Sequence, residues 1–422
     1  MKILVVGSGG REHAIVHALS RSPQQPELLC APGNPGIRGL ARQVAGSMEV
    51  DEIVAVSQAE GVDLVVVGPE APLVAGLVDA LGAVGIAAFG PSAAAARLEG
   101  SKTFAKEIMI AAGVPTAGHA VVTTVDEGLA AITGYPAVVK FDGLAAGKGV
   151  VIAQSEAEAR EALSAMLEEQ VFGPGGVFVE DFLDGPEVSL LALCDGERAL
   201  ALAPARDFKR ALDGDEGPNT GGMGAFSPVP DVDPERLAEL SAVVHQPIVD
   251  ELARRGTPFH GVLYAGLMLT SAGPKVLEYN TRFGDPETQV VLPRLTSDLA
   301  DLMLRASKPG GLAGAALEVD PRPAVTVVLA SRGYPASASK GDEITGVETA
   351  GAAADTIVFH AGTQGGEDDD SGPLATAGGR VLAVTALGNT LSAARDAAYT
   401  GVSAIAFDGQ QHRSDIAAAA AE

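Results

Sequence analysis

The sequence predicts a multidomain protein that combines α/β and α+β architecture, with a doubly wound N-terminal domain and a small antiparallel α+β C-terminal domain. The chain has 422 residues, more than one hydrophobic core usually accommodates. Over residues 1–100, apolar runs ending in Gly or Pro alternate with helical segments, which is typical of buried parallel strands. The last hundred or so residues instead contain strand pairs and one helix near residues 390–400. We therefore expect domains at residues 1–100, 101–320 and 321–422.

The composition is that of an ordinary soluble globular protein, with 47% hydrophobic and 20% charged residues. The net charge of −25 argues against nucleic acid as a partner, because no basic stripe offsets phosphate repulsion. The longest uncharged apolar stretch, residues 80–96, is interrupted by glycines and a proline, so no membrane association is expected. Cys30 and Cys194 lie in apolar segments without metal-type partners, which predicts buried reduced thiols and a cytoplasmic location.

The first domain is predicted to begin with a strand and to continue with a helix and further strands. In order, these are the strand KILVVG, the helix REHAIVHALSRS and the strands ELLCAPG, DLVVVGPE and GIAAFGP. Ligands of doubly wound sheets bind beyond the carboxyl ends of the strands. The loop VVGPEAPL (66–73) ends one of these strands and leaves Glu70 free to bind an amine.

The segment VVGSGGREHA (5–14) resembles a dinucleotide-binding turn but departs from it in two places. Glu12 stands where a third glycine should allow close helix packing, and no acidic residue follows the second strand to bind a ribose. The start of the helix remains a candidate anion site, with the N–H groups of Gly9 and Gly10 and the charge of Arg11. A tight structural turn is the alternative interpretation.

The segment VVKFDGLAAGKGVV (138–151) places Lys140 at the end of an apolar strand, before a loop with three glycines and Lys148. A buried lysine requires an anion nearby, and successive N–H groups of a glycine loop form an anion-binding concavity. The loop is longer than a hairpin needs, which indicates that it folds over a bound anion. An exposed, flexible hairpin is the alternative. This hairpin belongs to a strand-rich unit expected at residues 120–188.

Two further segments carry polar residues suited to binding. FVEDFLDGPEVSL (178–190) contains Glu180 and Glu187 on two strands joined by a linker whose backbone suits an adenine edge, although such carboxylates are often just exposed. DEGPNTGGMGAFSP (215–228) is rich in Gly and Pro and presents Asn219 and Thr220, as binding loops do.

The segment VLEYNTRFGDPETQ (276–289) ends an apolar strand with Glu278, Asn280 and Arg282 at alternate positions. Period-two spacing is expected to put the three side chains on one face of the strand. A carboxylate and an amide oxygen are hard ligands suited to Mg²⁺, and a planar arginine suits a carboxylate or phosphate. A partly solvated strand face with an ion pair is the alternative.

Together these segments resemble the ATP-grasp superfamily and, within it, the phosphoribosylamine–glycine ligase family. The motifs follow the family's order through nearly the whole chain: GSGGREHA, APGN, VGPEAPL, LEGSK, DGLAAGKGV, GPNTGGMGA, LYAGLM, RFGDPETQ, FHAGT and GGRVLAVTALG. The resemblance implies an ATP-grasp core with a mobile lid at about residues 120–188, between the doubly wound domain and the C-terminal domain.

The resemblance also implies roles for individual residues. ATP would be bound by Lys102, Lys140, Gly143, Gly147, Lys148, Gly149, Glu180, Leu183 and Glu187. A metal ion, Mg²⁺ or Mn²⁺, would be bound by Glu278 and Asn280. The substrates would be bound by Gly9, Gly10, Arg11, Glu12, Asn34, Glu70, Asp207, Asn219, Thr220, Gly221 and Arg282. The residues expected to act in catalysis are Arg282, Lys140, Asn219 and Gly222. The chain departs from the family at Phe208, where DFKR replaces the usual DHKR, so a histidine's role there does not carry over.

Members of this family join glycine to 5-phosphoribosylamine with ATP, through glycyl phosphate, in de novo purine synthesis. The resemblance therefore implies small-molecule partners, with no nucleic acid and no membrane, and a monomer is the working expectation. Two alternatives stay open from the sequence: another ATP-grasp ligase or carboxylase, and a non-catalytic nucleotide-binding module.

Overall fold

The computed structural model describes residues 1–143, 149–366 and 372–421, and its sheets have the mixed parallel and antiparallel architecture that the sequence predicts. In the part of the chain that it describes, no helix combines the length and the apolar character needed to cross a bilayer.

The N-terminal domain is built on a parallel five-stranded sheet in the order β3-β2-β1-β4-β5. Its strands are β1 (Lys2–Gly7), β2 (Glu27–Pro32), β3 (Arg42–Gln43), β4 (Leu64–Val67) and β5 (Ala87–Phe89). The helices are α1 (Gly10–Ser20), α2 (Pro35–Arg38), α3 (Val50–Glu60), α4 (Glu70–Val74), α5 (Leu77–Ala83) and α6 (Ala93–Gly100), and α7 (Lys102–Ala112) follows in the central part of the chain. The strand order reverses between β1 and β4, so a crevice opens beyond Gly7 and Gly68, where such sheets bind ligands.

The second sheet is antiparallel, in the order β6-β9-β7-β8. Its elements are β6 (His119–Val122), α8 (Val125–Ala131), β7 (Ala137–Phe141), β8 (Val150–Ala153), α9 (Glu156–Leu167) and β9 (Val177–Asp181). Val139 and Phe141 of β7 share a hydrophobic cluster with Leu163 and Met166 of α9. Because successive side chains of a strand point to opposite faces, Lys140 lies on the face away from α9.

The third sheet is also antiparallel, in the order β11-β10-β16-β17. From residue 187 to residue 280 the strands are β10 (Glu187–Asp195), β11 (Ala199–Ala201), β12 (Arg206–Asp207), β13 (Arg210–Leu212), β14 (Glu216–Asn219), β15 (Gly224–Ser227), β16 (His260–Thr270) and β17 (Gly273–Asn280). The helices of this part are α10 (Pro234–Val244), α11 (Gln246–Arg254), α12 (Thr288–Val291) and α13 (Leu299–Ala306). Val5, Ile15, Leu191, Val262 and Met303 belong to one hydrophobic cluster, so a continuous core joins this sheet to the N-terminal domain.

The C-terminal sheet has the order β12-β15-β18-β22-β19, so it takes two of its five strands from the central part of the chain. The remaining elements are β18 (Ala324–Ala330), α14 (Val347–Gly351), β19 (Thr356–His360), β20 (Thr363–Gln364), β21 (Ala375–Thr376), β22 (Arg380–Leu387), α15 (Leu391–Ala404) and α16 (Ala418–Ala421). The sequence did not predict this exchange, because β12 and β15 are too short to show a strand pattern. As a result, the loop between them, which contains Asn219–Gly222, is anchored at both ends in the C-terminal sheet.

Candidate active site

Two lysines and one glutamate form a buried cluster between the second sheet and α7. Lys140 Nζ lies 2.7 Å from Glu180 Oε2, and Lys106 Nζ lies 3.0 Å from Glu180 Oε1. The anion that the sequence requires beside Lys140 is thus Glu180 in this structure. Burial raises the pKa of Glu180, but the two ammonium groups lower it by more, and the net pKa lies below its usual range. The carboxylate is therefore ionised and shared between two cations.

The same cluster is joined to the strand that carries the predicted metal ligands. Lys140 Nζ donates to the carbonyl of Leu277 at 3.3 Å. Lys106 Nζ donates to Thr116 Oγ1 at 2.7 Å, and that hydroxyl donates to the carbonyl of Val276 at 2.8 Å. Lys106 was missed at the sequence level. The available signal was its position one helical turn after Lys102, which places both ammonium groups on one face of α7.

Lys102 lies at the start of α7, where the second sheet meets it. Its Nζ donates to the carbonyl of Gly143 at 3.1 Å, and its backbone N–H donates to Asp142 at 2.6 Å. Burial lowers the pKa of Lys102, and the charge of Glu278 opposes this shift without cancelling it. The lysine is therefore within the field of the predicted metal ligand. The N–H of Phe141 donates to the carbonyl of Gly149 at 2.8 Å and closes the described base of the hairpin, whereas Gly147 and Lys148 lie outside the described residues.

Glu187, predicted to bind a ribose, begins β10 and contacts Lys209, which also lies 2.9 Å from Asp207. Burial raises the pKa of Glu187; Lys209 lowers it and Asp207 raises it again, so the net shift is upward. A ribose hydroxyl would therefore compete with Lys209 for this carboxylate. Leu183, whose backbone was predicted to contact adenine, is buried in the connection from β9 to β10.

The predicted metal ligands Glu278 and Asn280 lie two residues apart at the end of β17, so they share one face of the strand. Both are half-buried, and within the described ranges neither side chain has a hydrogen-bond or ion-pair partner. Among the same described residues, no group of three or more His, Cys, Asp or Glu side chains could hold a metal alone. Two free oxygen ligands in a half-buried cleft fit Mg²⁺, which also takes water and substrate phosphates.

Arg282 does not extend this strand face as predicted, because β17 ends at Asn280. The next residue, Thr281, donates its backbone N–H to Glu99 at 2.7 Å, and the chain turns away there. Arg282 Nη2 lies 2.9 Å from Glu99 Oε1, and its Nε lies 3.6 Å from Glu70 Oε2. Burial lowers the pKa of Arg282, but Glu99 and Glu70 raise it by more. The arginine that was expected to meet a substrate carboxylate is therefore paired with two protein carboxylates in this structure, and Glu70 is not free for an amine.

In the N-terminal crevice, the side chain of Glu12 occupies the position of a bound anion. It accepts the N–H of Gly9 at 2.6 Å and lies 2.5 Å from Arg11 Nε. A Cβ on Gly7 would stand 2.4 Å from Glu12 Cγ, and a Cβ on Gly68 would stand 2.2 Å from its Oε1. The glycines at the ends of β1 and β4 thus make room for this carboxylate. The Gly9 N–H, which was predicted to bind a substrate, is bonded to Glu12 in this structure.

Gly10, the first residue of α1, contacts the central part of the chain: a Cβ there would stand 2.8 Å from Gln289 Nε2. The side-chain amide of Asn34 is hydrogen-bonded to backbone groups. Its Nδ2 donates to the carbonyls of Ser8 and His360, both at 2.8 Å, and its Oδ1 accepts the N–H of Ile37 at 3.1 Å. In this structure Asn34 joins the N-terminal and C-terminal domains and is not open to a substrate.

The loop that contains Asn219 and Thr220 folds back on itself and packs on the turn at Asp285–Pro286. Thr220 Oγ1 donates to the carbonyl of Lys209 at 2.8 Å and accepts the N–H of Gly222 at 2.9 Å. Gly222 has a φ of +108°, and a Cβ there would stand 2.4 Å from Pro286 Cδ. Only glycine therefore allows the loop to lie this close to the turn.

Phe208 points away from this site into the C-terminal core. Its ring lies 6.2 Å from that of Phe226, and the guanidinium of Arg413 stands 4.9 Å above it. The neighbouring Asp207 instead lies in a buried polar cluster with Glu287, which sequence reasoning missed. Burial and the charge of Asp207 raise the pKa of Glu287 to about 7, and Ser189 Oγ donates to this carboxylate at 3.0 Å.

The structure thus gathers about half of the predicted residues into two adjoining regions on either side of the end of β17. Lys102, Lys140, Glu180, Glu278 and Asn280 form a region that combines lysines with oxygen ligands, suited to a polyphosphate and a divalent cation. On the other side lie Arg282, Asp207 and the Asn219–Gly222 loop. Such an arrangement can move a phosphoryl group toward a small polar substrate.

Models of one protein family match almost the whole chain. Residues 1–99 match the phosphoribosylglycinamide synthetase N domain, residues 100–288 match its ATP-grasp (A) domain, and residues 324–419 match its C domain. A phosphoribosylamine–glycine ligase of Streptomyces coelicolor is 53% identical over 428 residues, covering 100% of both chains. The protein of that name from Xanthomonas axonopodis pv. citri is 49% identical over 424 residues, covering 99% of this chain and 97% of the relative.

Two solved structures have folds similar to that of this chain. The crystal structure of a phosphoribosylamine–glycine ligase from Thermotoga maritima matches with a TM-score of 0.83 and 35% identity, covering 99% of this chain and 100% of the other. A biotin carboxylase of Campylobacter jejuni, solved in a complex with β,γ-ATP, matches with a TM-score of 0.71 at 14% identity, covering 97% and 92%. That second likeness concerns the fold alone.

Proposed function

This chain belongs to the phosphoribosylglycinamide synthetase family, and from that premise we propose that it joins glycine to 5-phospho-D-ribosylamine with ATP. The products are N1-(5-phospho-D-ribosyl)glycinamide, ADP and phosphate, in de novo purine biosynthesis. The observation that supports this most directly is the lysine cluster beside the free ligands Glu278 and Asn280, at the end of β17. The reaction takes place in the cytoplasm between small molecules, and the chain acts as a monomer.

The chemistry requires that the glycine carboxylate first become an electrophile. A carboxylate oxygen attacks the γ-phosphorus of ATP, the bond to the ADP oxygen breaks, and glycyl phosphate forms. The amine of phosphoribosylamine then attacks the glycyl carbon, loses a proton, and expels phosphate. In phosphoryl transfer the protein contributes mainly by positioning the reactants and offsetting charge. Lys102 and Lys140 are the cations placed to do so.

Lys140 is proposed to change partners when ATP binds. In this structure its ammonium group is bonded to Glu180 at 2.7 Å, and the same carboxylate is held by Lys106 at 3.0 Å. Lys140 can therefore turn to phosphate oxygens without leaving a buried carboxylate unpaired. The glycine loop at residues 143–149, of which residues 144–148 lie outside the described part, would close over the phosphates and shield glycyl phosphate from water.

A divalent cation, Mg²⁺ or Mn²⁺, fits the pair Glu278 and Asn280, whose oxygens have no partner within the described ranges. When bound there, the metal would offset negative charge on the transferred phosphoryl group. Glu278 also raises the pKa of Lys102, which partly opposes the larger lowering by burial.

The substrate side requires two rearrangements of the pairs seen in this structure. Arg282 would meet the glycine carboxylate only by sharing or leaving Glu99 and Glu70. Glu12 would have to swing out of the crevice for the phosphate of phosphoribosylamine to reach Gly9, Gly10 and Arg11. In both exchanges the cation that now binds a protein carboxylate would bind an anionic group of the substrate.

An ADP-release assay with each substrate omitted in turn tests this function. We expect ADP release only when glycine and freshly prepared phosphoribosylamine are both present, because the acyl phosphate stays protected until the amine attacks. Bicarbonate or formate in place of glycine, with a suitable acceptor, serves as the control for other ATP-grasp reactions. ADP release with bicarbonate, or none with any substrate pair, would contradict the proposal.

A further inference from the structure

One arginine of the C-terminal domain contacts both the Asn219–Gly222 loop and the turn at residues 284–287. Arg380, the first residue of β22, donates from Nη1 to the carbonyl of Gly221 at 2.5 Å and to the carbonyl of Asp285 at 2.8 Å. Its Nη2 lies 3.0 Å from Asp285 Oδ2. The loop at residues 219–222 and the turn at residues 284–287 are far apart in sequence. A single planar guanidinium therefore fixes their separation, because its donors form a rigid fork.

A second residue of the same domain holds the other side of the Gly221 peptide. The N–H of Gly221 donates to the hydroxyl of Tyr334 at 2.9 Å. The Tyr334 ring reaches this position because Gly379 has no side chain: a Cβ there would stand 2.4 Å from Tyr334 Cδ2. Gly221 is exposed to solvent, but the guanidinium of Arg380 lies close against it, since a Cβ on Gly221 would stand 3.0 Å from Arg380 Cζ. The Gly221 residue is thus bonded through both its N–H and its carbonyl to the C-terminal domain.

The charges around Arg380 favour this arrangement. Burial lowers the pKa of Arg380, but Asp285, Tyr334 and Glu287 together raise it by more. Burial raises the pKa of Asp285, but Arg380 and then Arg11 lower it by more, with further help from the bond that Gln289 donates at 2.8 Å. A fixed ion pair at this point therefore connects the C-terminal domain to the N-terminal crevice as well as to the Asn219–Gly222 loop.

We propose that Arg380 is a positioning residue for the ligation reaction: together with Tyr334, it holds the Asn219–Gly222 loop against the turn at residues 284–287. The C-terminal domain thereby sets the geometry in which glycine and phosphoribosylamine meet. This inference rests on the proposed function for its kinetic consequences. The contacts of Arg380 and Tyr334 with the loop and the turn, called the clamp below, can be tested without turnover.

The kinetic test compares Arg380→Met with Arg332→Met, whose exposed guanidinium in the same domain pairs with Asp408. We expect Arg380→Met to lower kcat/KM for glycine and phosphoribosylamine by about 30-fold, since misplaced reactive groups cost rate steeply. The Kd for ADP should stay within about twofold, because the described contacts of Arg380 are with Gly221 and Asp285 and not with Lys102, Lys140 or Glu278. Arg380→Lys, which keeps the charge but loses the fork, should restore part of the loss.

Hydrogen exchange gives a readout that does not depend on activity. In peptides covering residues 219–222, exchange should be faster in Arg380→Met and in the milder Tyr334→Phe than in the parent protein, and unchanged in Arg332→Met. If the parent releases ADP with both substrates but Arg380→Met keeps normal kcat/KM, this inference fails alone. If the parent shows no substrate-dependent ADP release, the proposed function fails, and exchange still decides the clamp. An equal loss of ADP affinity and kcat/KM, or unchanged exchange in both variants, would overturn it.

Discussion

Replacing Lys140 with alanine is expected to lower kcat by about 10²-fold at saturating ATP, equivalent to roughly 3 kcal/mol, the scale of one preorganised donor. The reason is that Lys140 lies at the junction between Glu180 and the backbone beside Glu278, where phosphate charge must be offset. The fold should survive, because Glu180 keeps Lys106 as its partner at 3.0 Å. Single-turnover kinetics with saturating ATP measures the effect.

Lys308→Ala is the matched control, since Lys308 is exposed and lies outside both regions of the site. Its kcat should equal that of the parent. Near-normal turnover of Lys140→Ala at saturating ATP would mean that this lysine only stabilises Glu180. A large loss of thermal stability in the variant, with ADP binding intact, would point to the same structural role.

Replacing Glu278 with glutamine should weaken metal-dependent turnover by about 100-fold at limiting Mg²⁺ while leaving the fold intact. Glutamine keeps the size and one oxygen of the side chain but removes the charge that binds a hard cation. In the described parts of the chain no side chain depends on Glu278 for a hydrogen bond or an ion pair, so its loss should not disturb packing. The measurement is the Mg²⁺ concentration that gives half-maximal activity.

Glu318→Gln provides the control, because Glu318 is an exposed glutamate remote from β17. It should leave the Mg²⁺ dependence unchanged. If Glu278→Gln follows the same Mg²⁺ titration as the parent, the assignment of the metal site to β17 is wrong.

The sequence predicted those parts of the protein that depend on local pattern. The buried runs of β1 and β4 predict a parallel sheet because they are mostly apolar. Lys140 predicts a nearby anion because a buried cation requires one. Glu12 was recognised as a departure from a dinucleotide turn, but the sequence did not show that its side chain fills the space between Gly7 and Gly68.

The parts that the sequence did not predict depend on contacts between distant segments. Arg282 was placed on the strand face because period two continued through it, but Glu99, from another helix, binds Thr281 and ends the strand. In the sequence, Lys106 is one more charged residue on a helix. Its role becomes visible only in the fold, where β9 places Glu180 beside it. Arg380 lies in a motif with no catalytic signature, and only the exchange of β12 and β15 into the C-terminal sheet brings Gly221 within its reach.

The most direct test of the account is the fate of the glycine carboxylate oxygens. Glycine labelled with oxygen-18 in its carboxylate is allowed one turnover with ATP, phosphoribosylamine and Mg²⁺, and the released phosphate is analysed by mass. If glycyl phosphate forms, a glycine oxygen becomes bonded to phosphorus and leaves with it when the amine attacks carbon, so each phosphate carries one labelled oxygen. Phosphate without label would contradict the glycyl phosphate mechanism and the roles assigned to the two sides of β17.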